Sequence, residues 1–161
     1  MAIKHYFLGA NAPDGFYSLY QEFCAPDSGN FLWVIKGGPG CGKSTFMKTI
    51  AAAAEEAGLV AERVRCSGDP HSLDAVCIPA WNVGYVDGTA PHVLDVPYPA
   101  AAGAYLDLGQ FYDNDALQTQ LARLQARRLE ARRAHLHRFV FVQPLGFAHA
   151  PDHGHGAFAV L

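Results

Sequence analysis

Eight residues in the first third of the chain have the types and the spacing of a phosphate-binding loop. Residues 37–44 read GGPGCGKS and fit the pattern G-x-x-x-x-G-K-[ST] at its fixed positions Gly37, Gly42, Lys43 and Ser44. Glycines let such a loop adopt positive φ angles and bring its N–H groups close to an anion. The lysine of this pattern reaches the β- and γ-phosphates of a nucleotide, and the serine hydroxyl ligates Mg²⁺.

The segments on either side of this loop have the patterns of a buried strand and a helix. Residues 31–35, FLWVI, have the length and residue types of a buried strand. Apolar residues after the loop recur at helical spacing: Phe46, Ile50, Ala53, Ala54 and Ala57. Gly58 stands where a glycine commonly ends a helix. Strand, loop and helix in this order predict nucleotide binding. Further nucleotide contacts are expected from Gly38, Pro39, Gly40, Cys41 and Thr45.

An aspartate at the end of another apolar run is the expected partner of Ser44 at the metal. The run VGYVD ends in Asp87, and P-loop enzymes hold Mg²⁺ through such an acid together with the loop hydroxyl. The loop that follows is expected near the γ-phosphate, where Thr89 or His92 senses the phosphate or orients water. His92 is also a candidate for proton transfer, because histidine titrates near neutral pH. The alternative is that this loop is only a turn.

Two further acids follow another predicted strand. Residues 59–66 are predicted to run parallel to the strand before the glycine loop, because a helix connects the two by a right-handed crossover. Ligands in open α/β sheets bind at the carboxyl ends of the strands. Asp69 and Asp74 are therefore candidates for contacting a metal-bound water or positioning the attacking water. The alternatives are that Asp69 caps a turn and that Asp74 lies in the first turn of a short helix begun at Ser72.

The composition is typical of a globular domain. The chain has 161 residues, of which 50% are hydrophobic and 17% charged, so one domain with a buried core is expected. The net charge of −3 gives no general reason to expect nucleic acid. No apolar run reaches the roughly 18 residues of a membrane helix, and the first ten residues lack the features of a signal peptide. The cysteines form no C-x-x-C pair and no zinc spacing, and a disulfide at Cys41 would distort the phosphate loop, so a reducing, cytoplasmic setting is expected.

The remaining elements are predicted to surround this centre. They are a strand at 3–8, a turn at 9–15, a helix at 16–23, and a loop followed by a short helix within 93–112 that ends near Leu108. The turn is a second candidate for contact with the nucleotide. Asp113 or Asn114 is expected to cap a long helix that runs to about Arg138.

Six arginines give this last helix a strong local charge. Residues 121–138 carry a net charge of +5, against −8 for the rest of the chain. The arginines are Arg123, Arg127, Arg128, Arg132, Arg133 and Arg138. Three interpretations are open: a solvated helix face, an arginine finger or lid over the phosphates, and a face for nucleic acid. The last has no aromatic interleaving or known binding motif to support it.

The end of the chain does not continue this pattern. Residues 139–143 are predicted to form a strand, and a Gly/His/Pro-rich segment follows. Its candidate metal ligands are His149, Asp152, His153 and His155. Fewer core strands are predicted than a P-loop domain usually has. We therefore expect a nucleotide-binding domain at 1–138 and an atypical tail at 139–161, in a chain truncated or frame-shifted relative to a longer protein.

Four segments follow one another along the chain: HYFLGANAPDGF (5–16), GGPGCGKST (37–45), CSGDPHSLDAV (66–76) and VDGTAPHVLDVPYP (86–99). Together they resemble a family of uncharacterised bacterial P-loop ATPases, known mainly from Firmicutes, whose members carry two P-loop halves in tandem. The resemblance covers roughly residues 4–135 and the N-terminal half only. It implies ATP binding, ATP hydrolysis and a P-loop NTPase fold, and it implies no particular substrate.

The expected fold is therefore α/β, a P-loop NTPase with a mostly parallel sheet flanked by helices and short of strands. The expected function is Mg²⁺-dependent binding and hydrolysis of ATP, with catalytic roles for Lys43, Asp87, Asp69 and His92. ATP is expected rather than GTP because the guanine-reading motif N-K-x-D is absent from the sequence. One alternative is a small-molecule or nucleotide kinase with Asp69 near the acceptor hydroxyl. Another is a nucleotide-binding regulatory or assembly module without turnover, for which a protein partner or an oligomer is conceivable.

Overall fold

A computed structural model describes residues 4–12, 14–24, 29–90, 93–96 and 98–140, with side chains as far as residue 130. The strands are β1 (Lys4–Tyr6), β2 (Gly9–Ala12), β3 (Gly15–Ser18), β4 (Phe31–Lys36), β5 (Glu62–Arg65), β6 (Leu73–Ile78), β7 (Val83–Asp87) and β8 (Gly103–Asp107). The helices are α1 (Lys43–Glu56), α2 (Asn114–Thr119) and α3 (Leu121–Val140), with short 3-10 turns at Tyr20–Glu22, Pro79–Trp81 and Leu108–Phe111. The chain divides into two compact units, 1–122 and 123–161, and the sheet belongs to the first.

Six of the strands form one mostly parallel sheet in the order β1-β5-β6-β7-β4-β8. Only β6 is reversed, and it pairs antiparallel with β5 and β7. Short connections, residues 66–72 and 79–82, lead into and out of β6, and such connections suit antiparallel neighbours. The connection from β4 to β5 carries α1, which returns the chain in the parallel direction. The prediction that β5 runs parallel to β4 is confirmed, although β6 and β7 lie between them.

Strand β4 lies at the centre of the core because its residues contribute to both faces of the sheet. Val34 and Ile35 are both 0% exposed and belong to separate hydrophobic clusters. Ile35 packs with Met47 and Ala51 of α1. Val34 packs in the cluster that Tyr20, from the segment after β3, joins on the opposite face. Each such side chain contributes roughly 1.5–3 kcal/mol when fully buried, so the strand that carries the glycine loop is firmly held.

Helix α1 confirms the helix predicted after the glycine loop. It ends before Gly58, whose φ of 78° lies in the left-handed region that favours glycine. Its buried stripe is centred on Met47, Ala51 and Ala54, with Phe46 and Ile50 half-buried. The expected positions Ala53 and Ala57 are exposed instead. The apolar stripe of the sequence is thus wider than the face that the sheet covers.

The helix predicted for residues 16–23 is wrong. Gly15–Ser18 is strand β3, which pairs antiparallel with β2, and only Tyr20–Glu22 form a helical turn. The helical spacing still identified two core residues, because Tyr20 and Phe23 are 1% and 5% exposed. The ladder between β2 and β3 satisfies the backbone groups that a helix would have bonded internally. A pairing partner therefore outweighed the local periodicity.

Two other segments for which helix was considered are strands. The alternative of a short helix from Ser72 is excluded because this segment forms strand β6, and the predicted loop-and-helix segment contains strand β8 followed by a 3-10 turn. Strand β8 pairs with β4, which lies far from it in the sequence, and β6 pairs antiparallel with β7. Local sequence does not encode the stabilisation that a strand gains from its partner. The sheet accordingly has more strands than the sequence predicted.

Asp113 caps the helical region after β8, as expected. Its Oδ1 accepts a hydrogen bond from the N–H of Ala116 at 3.0 Å. The single long helix that was predicted is interrupted at Gln120 and continues as α3 through Val140. The strand predicted from residue 139 therefore does not begin there, and its remaining residues, 141–143, lie outside the described residues.

The arginine segment belongs to α3. Arg123, Arg127 and Arg128 are exposed, and the side chains of the other three arginines lie outside the description. The three interpretations of this segment remain predictions. The four candidate metal ligands near the end of the chain also lie outside the described residues. In the ranges that the structure describes, no helix has both the length and the apolar character needed to cross a bilayer.

Candidate functional site

The glycine loop connects the end of β4 to the first residue of α1. Gly40 and Gly42 have φ angles of 81° and 98°, and residues with side chains pay about 1–2 kcal/mol in this region. These two glycines turn the chain into the N-terminus of α1. There the first backbone N–H groups lack partners within the helix and the helix dipole is positive. This end of α1 is therefore suited to hold a phosphate group.

Lys43 begins α1, and its ammonium group lies against the glycine loop. Nζ donates to the backbone oxygens of Gly37 at 2.8 Å and Gly38 at 3.0 Å, and it lies 3.5 Å from Oδ2 of Asp87. The lysine is only 8% exposed. A buried ammonium is costly unless it is paired and hydrogen-bonded. These acceptors therefore hold a positive charge at the base of the loop.

Strand β7 brings Asp87 beside the loop. In the ladder between β4 and β7, Asp87 lies opposite Ile35, close to the point where the loop begins. Its Oδ1 accepts hydrogen bonds from the N–H of Thr89, at 2.9 Å, and from the Thr89 hydroxyl. These bonds orient the carboxylate so that Oδ2 faces Lys43. The structure thus groups Asp87, Thr89 and the lysine, while their catalytic roles stay predictions.

Ser44 links α1 to the beginning of β6. Its Oγ accepts a hydrogen bond from the N–H of Leu73 at 2.9 Å. A serine hydroxyl has two acceptor lone pairs and one proton, so this contact leaves an acceptor position and the donor for a ligand. The same bond brings the residues before and after Leu73 to the edge of the glycine loop.

A cleft with a volume of about 330 Å³ lies over this arrangement. It is lined by Pro39, Gly40, Gly42, Lys43, Ser44, Thr45, Cys66, Asp69, Ser72, Leu73, Asp74 and Asp87. Its volume is at the lower end of the range for small-molecule sites. Among the predicted nucleotide contacts, Gly37, Gly38 and Cys41 are not lining residues. The first two present their carbonyl oxygens to Lys43 instead.

The two other candidate acids lie in this cleft in different environments. Asp69 is exposed, and its Oδ1 accepts a hydrogen bond from the N–H of His71 at 3.0 Å, so it caps a turn while it lines the cleft. Asp74 is 5% exposed and accepts a hydrogen bond from the hydroxyl of Tyr20 at 2.9 Å. Burial and the adjacent Asp74 raise the pKa of Tyr20. Burial likewise raises the pKa of the nearby Cys66 thiol, which favours its neutral form.

The residues of the cleft fit Mg²⁺ and a nucleotide phosphate chain. Mg²⁺ prefers oxygen ligands and usually keeps several waters, with one or two carboxylates and the substrate phosphates completing its shell. Ser44 and Asp87 offer a hydroxyl and a carboxylate on the same cleft. No group of three or more His, Cys, Asp or Glu side chains suited to a metal occurs among the described residues.

One contact to the loop was missed from the sequence. The hydroxyl oxygen of Tyr112 accepts a hydrogen bond from the N–H of Gly38 at 2.6 Å, although the two residues are 74 positions apart. No local motif could have revealed this contact, because strand β8, which positions Tyr112, was not predicted from the sequence.

His92, a predicted catalytic residue, lies outside the described residues.

No model of a protein family, no curated protein and no solved structure matches this chain.

Proposed function

We propose that this chain is a Mg²⁺-dependent ATP-binding domain of the P-loop NTPase fold that hydrolyses ATP. The observation that carries this proposal is the position of Lys43. Its ammonium group is 8% exposed at the base of the glycine loop, with loop carbonyls and Asp87 as its acceptors. A buried cation that is fixed beside the N-terminus of α1 and a cleft is suited to bind several phosphate oxygens at once.

Each residue has a definite part in this proposal. The loop N–H groups and the end of α1 bind the β-phosphate, and Thr45 supports the α-phosphate. Lys43 neutralises the β- and γ-phosphate charge. Ser44 and Asp87 would hold the metal, which would neutralise part of the phosphate charge. Asp69, at the exposed side of the cleft, positions the attacking water.

The chemistry of the site and the sequence favour ATP over other ligands. The guanine-reading motif N-K-x-D does not occur in the sequence, so GTP has no expected base contact. The net charge of −3 and the acidic residues of the cleft also disfavour nucleic acid as the partner. The cleft instead pairs one buried cation with metal-binding oxygens, which suits a Mg²⁺-bound triphosphate.

The proposal is tested by Mg-ATP binding and phosphate release for the wild type and for Lys43→Ala. We expect the wild type to bind ATP at millimolar concentration or below. The Lys43→Ala variant should bind ATP about 10- to 100-fold more weakly, because it loses charged hydrogen bonds to the phosphates. The matched control is Lys4→Ala, which removes a lysine that is paired with Glu62 on the edge strand β1. This control should bind ATP like the wild type.

The outcomes separate the alternatives. Phosphate release without an acceptor supports an ATPase, whereas ADP formation only with an added acceptor supports a kinase. Tight binding with neither reaction supports a regulatory or assembly module. If the wild type binds no nucleotide at millimolar ATP, the proposal is wrong. If Lys43→Ala binds as tightly as Lys4→Ala, the role of the lysine is wrong.

A further inference from the structure

The hydroxyl of Tyr112 contacts the glycine loop at one of the two peptide groups that hold Lys43. The N–H of Gly38 donates to Oη of Tyr112 at 2.6 Å. The carbonyl of the same peptide group, that of Gly37, accepts from Nζ of Lys43 at 2.8 Å. In a planar trans peptide the N–H and C=O point in opposite directions. The hydroxyl that fixes this N–H therefore also fixes the carbonyl that holds the lysine.

The side chains of Tyr112 and Cys41 fill the space beside Gly38 and Gly37, so neither position has room for a Cβ. A Cβ on Gly38 would lie 2.9 Å from the Tyr112 hydroxyl, and a Cβ on Gly37 would lie 2.6 Å from Sγ of Cys41. Sγ of Cys41 also lies 3.8 Å from Nζ of Lys43. Burial raises the pKa of Tyr112, and the neighbouring Cys41 side chain raises it further.

Strand β8 determines where Tyr112 lies. In its ladder with β4, Asp107 pairs with Lys36, the last residue before the glycine loop. The chain then turns, with Gly109 donating its N–H to Oδ1 of Asp107 at 2.7 Å and its carbonyl accepting from the N–H of Tyr112 at 3.1 Å. The tyrosine is thus held by a strand that is paired directly with the strand before the loop.

We propose that Tyr112 is a positioning residue of the ATP site, whose hydroxyl orients the Gly37–Gly38 peptide and through it presents the Lys43 ammonium to the phosphates. The inference rests on the proposed function. Tyr112 does not line the cleft, so it acts through the loop and not by touching the nucleotide.

The test is a double-mutant cycle on Mg-ATP affinity with Tyr112→Phe, Lys43→Ala and their combination. Loss of one hydrogen bond should weaken ATP binding by Tyr112→Phe on the order of 5-fold. In the Lys43→Ala background the same substitution should change the affinity by less than about 2-fold, because the group through which the hydroxyl acts is gone. Equal effects in both backgrounds would show a merely structural role and overturn the inference.

The matched control is Tyr105→Phe, on strand β8 before the turn that carries Tyr112. Its hydroxyl also accepts a backbone N–H, that of Val96 at 3.2 Å, but away from the glycine loop. Tyr105→Phe should bind ATP like the wild type. The inference is wrong if Tyr112→Phe and Tyr105→Phe have the same affinity while the wild type binds ATP. Absence of ATP binding by the wild type overturns the proposed function and, with it, the role of Tyr112.

Amide exchange of Gly38, followed by NMR in the nucleotide-free protein, tests the contact without ATP. The Gly38 N–H should exchange more slowly in the wild type and in Tyr105→Phe than in Tyr112→Phe, by several fold. Unchanged exchange in Tyr112→Phe would overturn the inference. Matching urea midpoints for the two phenylalanine variants would show that the difference does not arise from global unfolding.

Discussion

Lys43 Nζ and Asp87 Oδ2 lie 3.5 Å apart, and their side chains are 8% and 15% exposed. The lysine begins α1 and the aspartate ends β7, so this ion pair connects the helix after the glycine loop to the neighbouring strand. Removing one partner of a buried pair leaves the other charge uncompensated, which costs more than breaking an exposed pair. The pair is therefore the natural target for a first substitution.

Asp87→Asn should bind Mg-ATP more weakly and reduce turnover by on the order of 100-fold, because it removes the carboxylate that we propose holds the metal and that faces Lys43. The measurement is phosphate release as a function of Mg²⁺ concentration. Asp95→Asn is the control, since Asp95 is 81% exposed and pairs with Lys36 outside the cleft. Equal turnover of the two variants would contradict the role of Asp87.

Ser44→Ala should lower both stability and metal-dependent binding. It removes the acceptor for the N–H of Leu73, a buried residue, and an unsatisfied buried donor costs about 1–3 kcal/mol. Ser44→Thr keeps the hydroxyl and should retain Mg-ATP affinity. Urea denaturation and ATP titration with and without Mg²⁺ check the two effects. Mg²⁺-dependent affinity that survives in Ser44→Ala would exclude the hydroxyl as a ligand.

Gly103→Ala should destabilise the sheet by about 1–3 kcal/mol. A Cβ at this position of β8 would lie 2.4 Å from the backbone oxygen of Leu32 and 2.9 Å from a methyl of Val96, so β8 must shift away from β4. Gly68→Ala is the control, because its nearest contact would be 3.9 Å. Free energies of unfolding compare the two. A Gly103→Ala protein as stable as Gly68→Ala would contradict the close pairing of β8 with β4.

Stability should fall at alkaline pH in a way that depends on Tyr20. Burial and the nearby Asp74 raise the folded-state pKa of Tyr20 above the unfolded value of about 10. Above that pH the unfolded chain releases a proton that the folded protein keeps, so stability decreases as pH rises. Between pH 10 and 11, the free energy of unfolding should fall by up to about 1.4 kcal/mol less per pH unit in Tyr20→Phe than in the wild type. Parallel stability curves for the two proteins would contradict this prediction.

The residues of the glycine loop and their flanking elements were recognisable from the sequence because they obey short-range rules. Gly40 and Gly42 are needed where φ is positive, and the apolar runs before and after them are local patterns. The strand that ends in Asp87 was predicted with its observed bounds for the same reason. The elements that were mispredicted, among them β3 and β8, owe their conformation to strands with which they pair, and a single segment does not reveal its partner.

The sequence by itself determined that a lysine and a serine follow a glycine loop at the start of a helix, since this depends on neighbours within a few residues. Tertiary structure alone decided that Lys43 pairs with Asp87, that Ser44 accepts the N–H of Leu73, and that Tyr112 holds Gly38. These contacts join residues far apart in the chain. The contacts of Asp87 and Tyr112 exist because the sheet order places β7 and β8 on either side of β4, and the contact of Ser44 exists because α1 packs over β6. Strand order is set by the packing of the whole core, which local patterns do not specify.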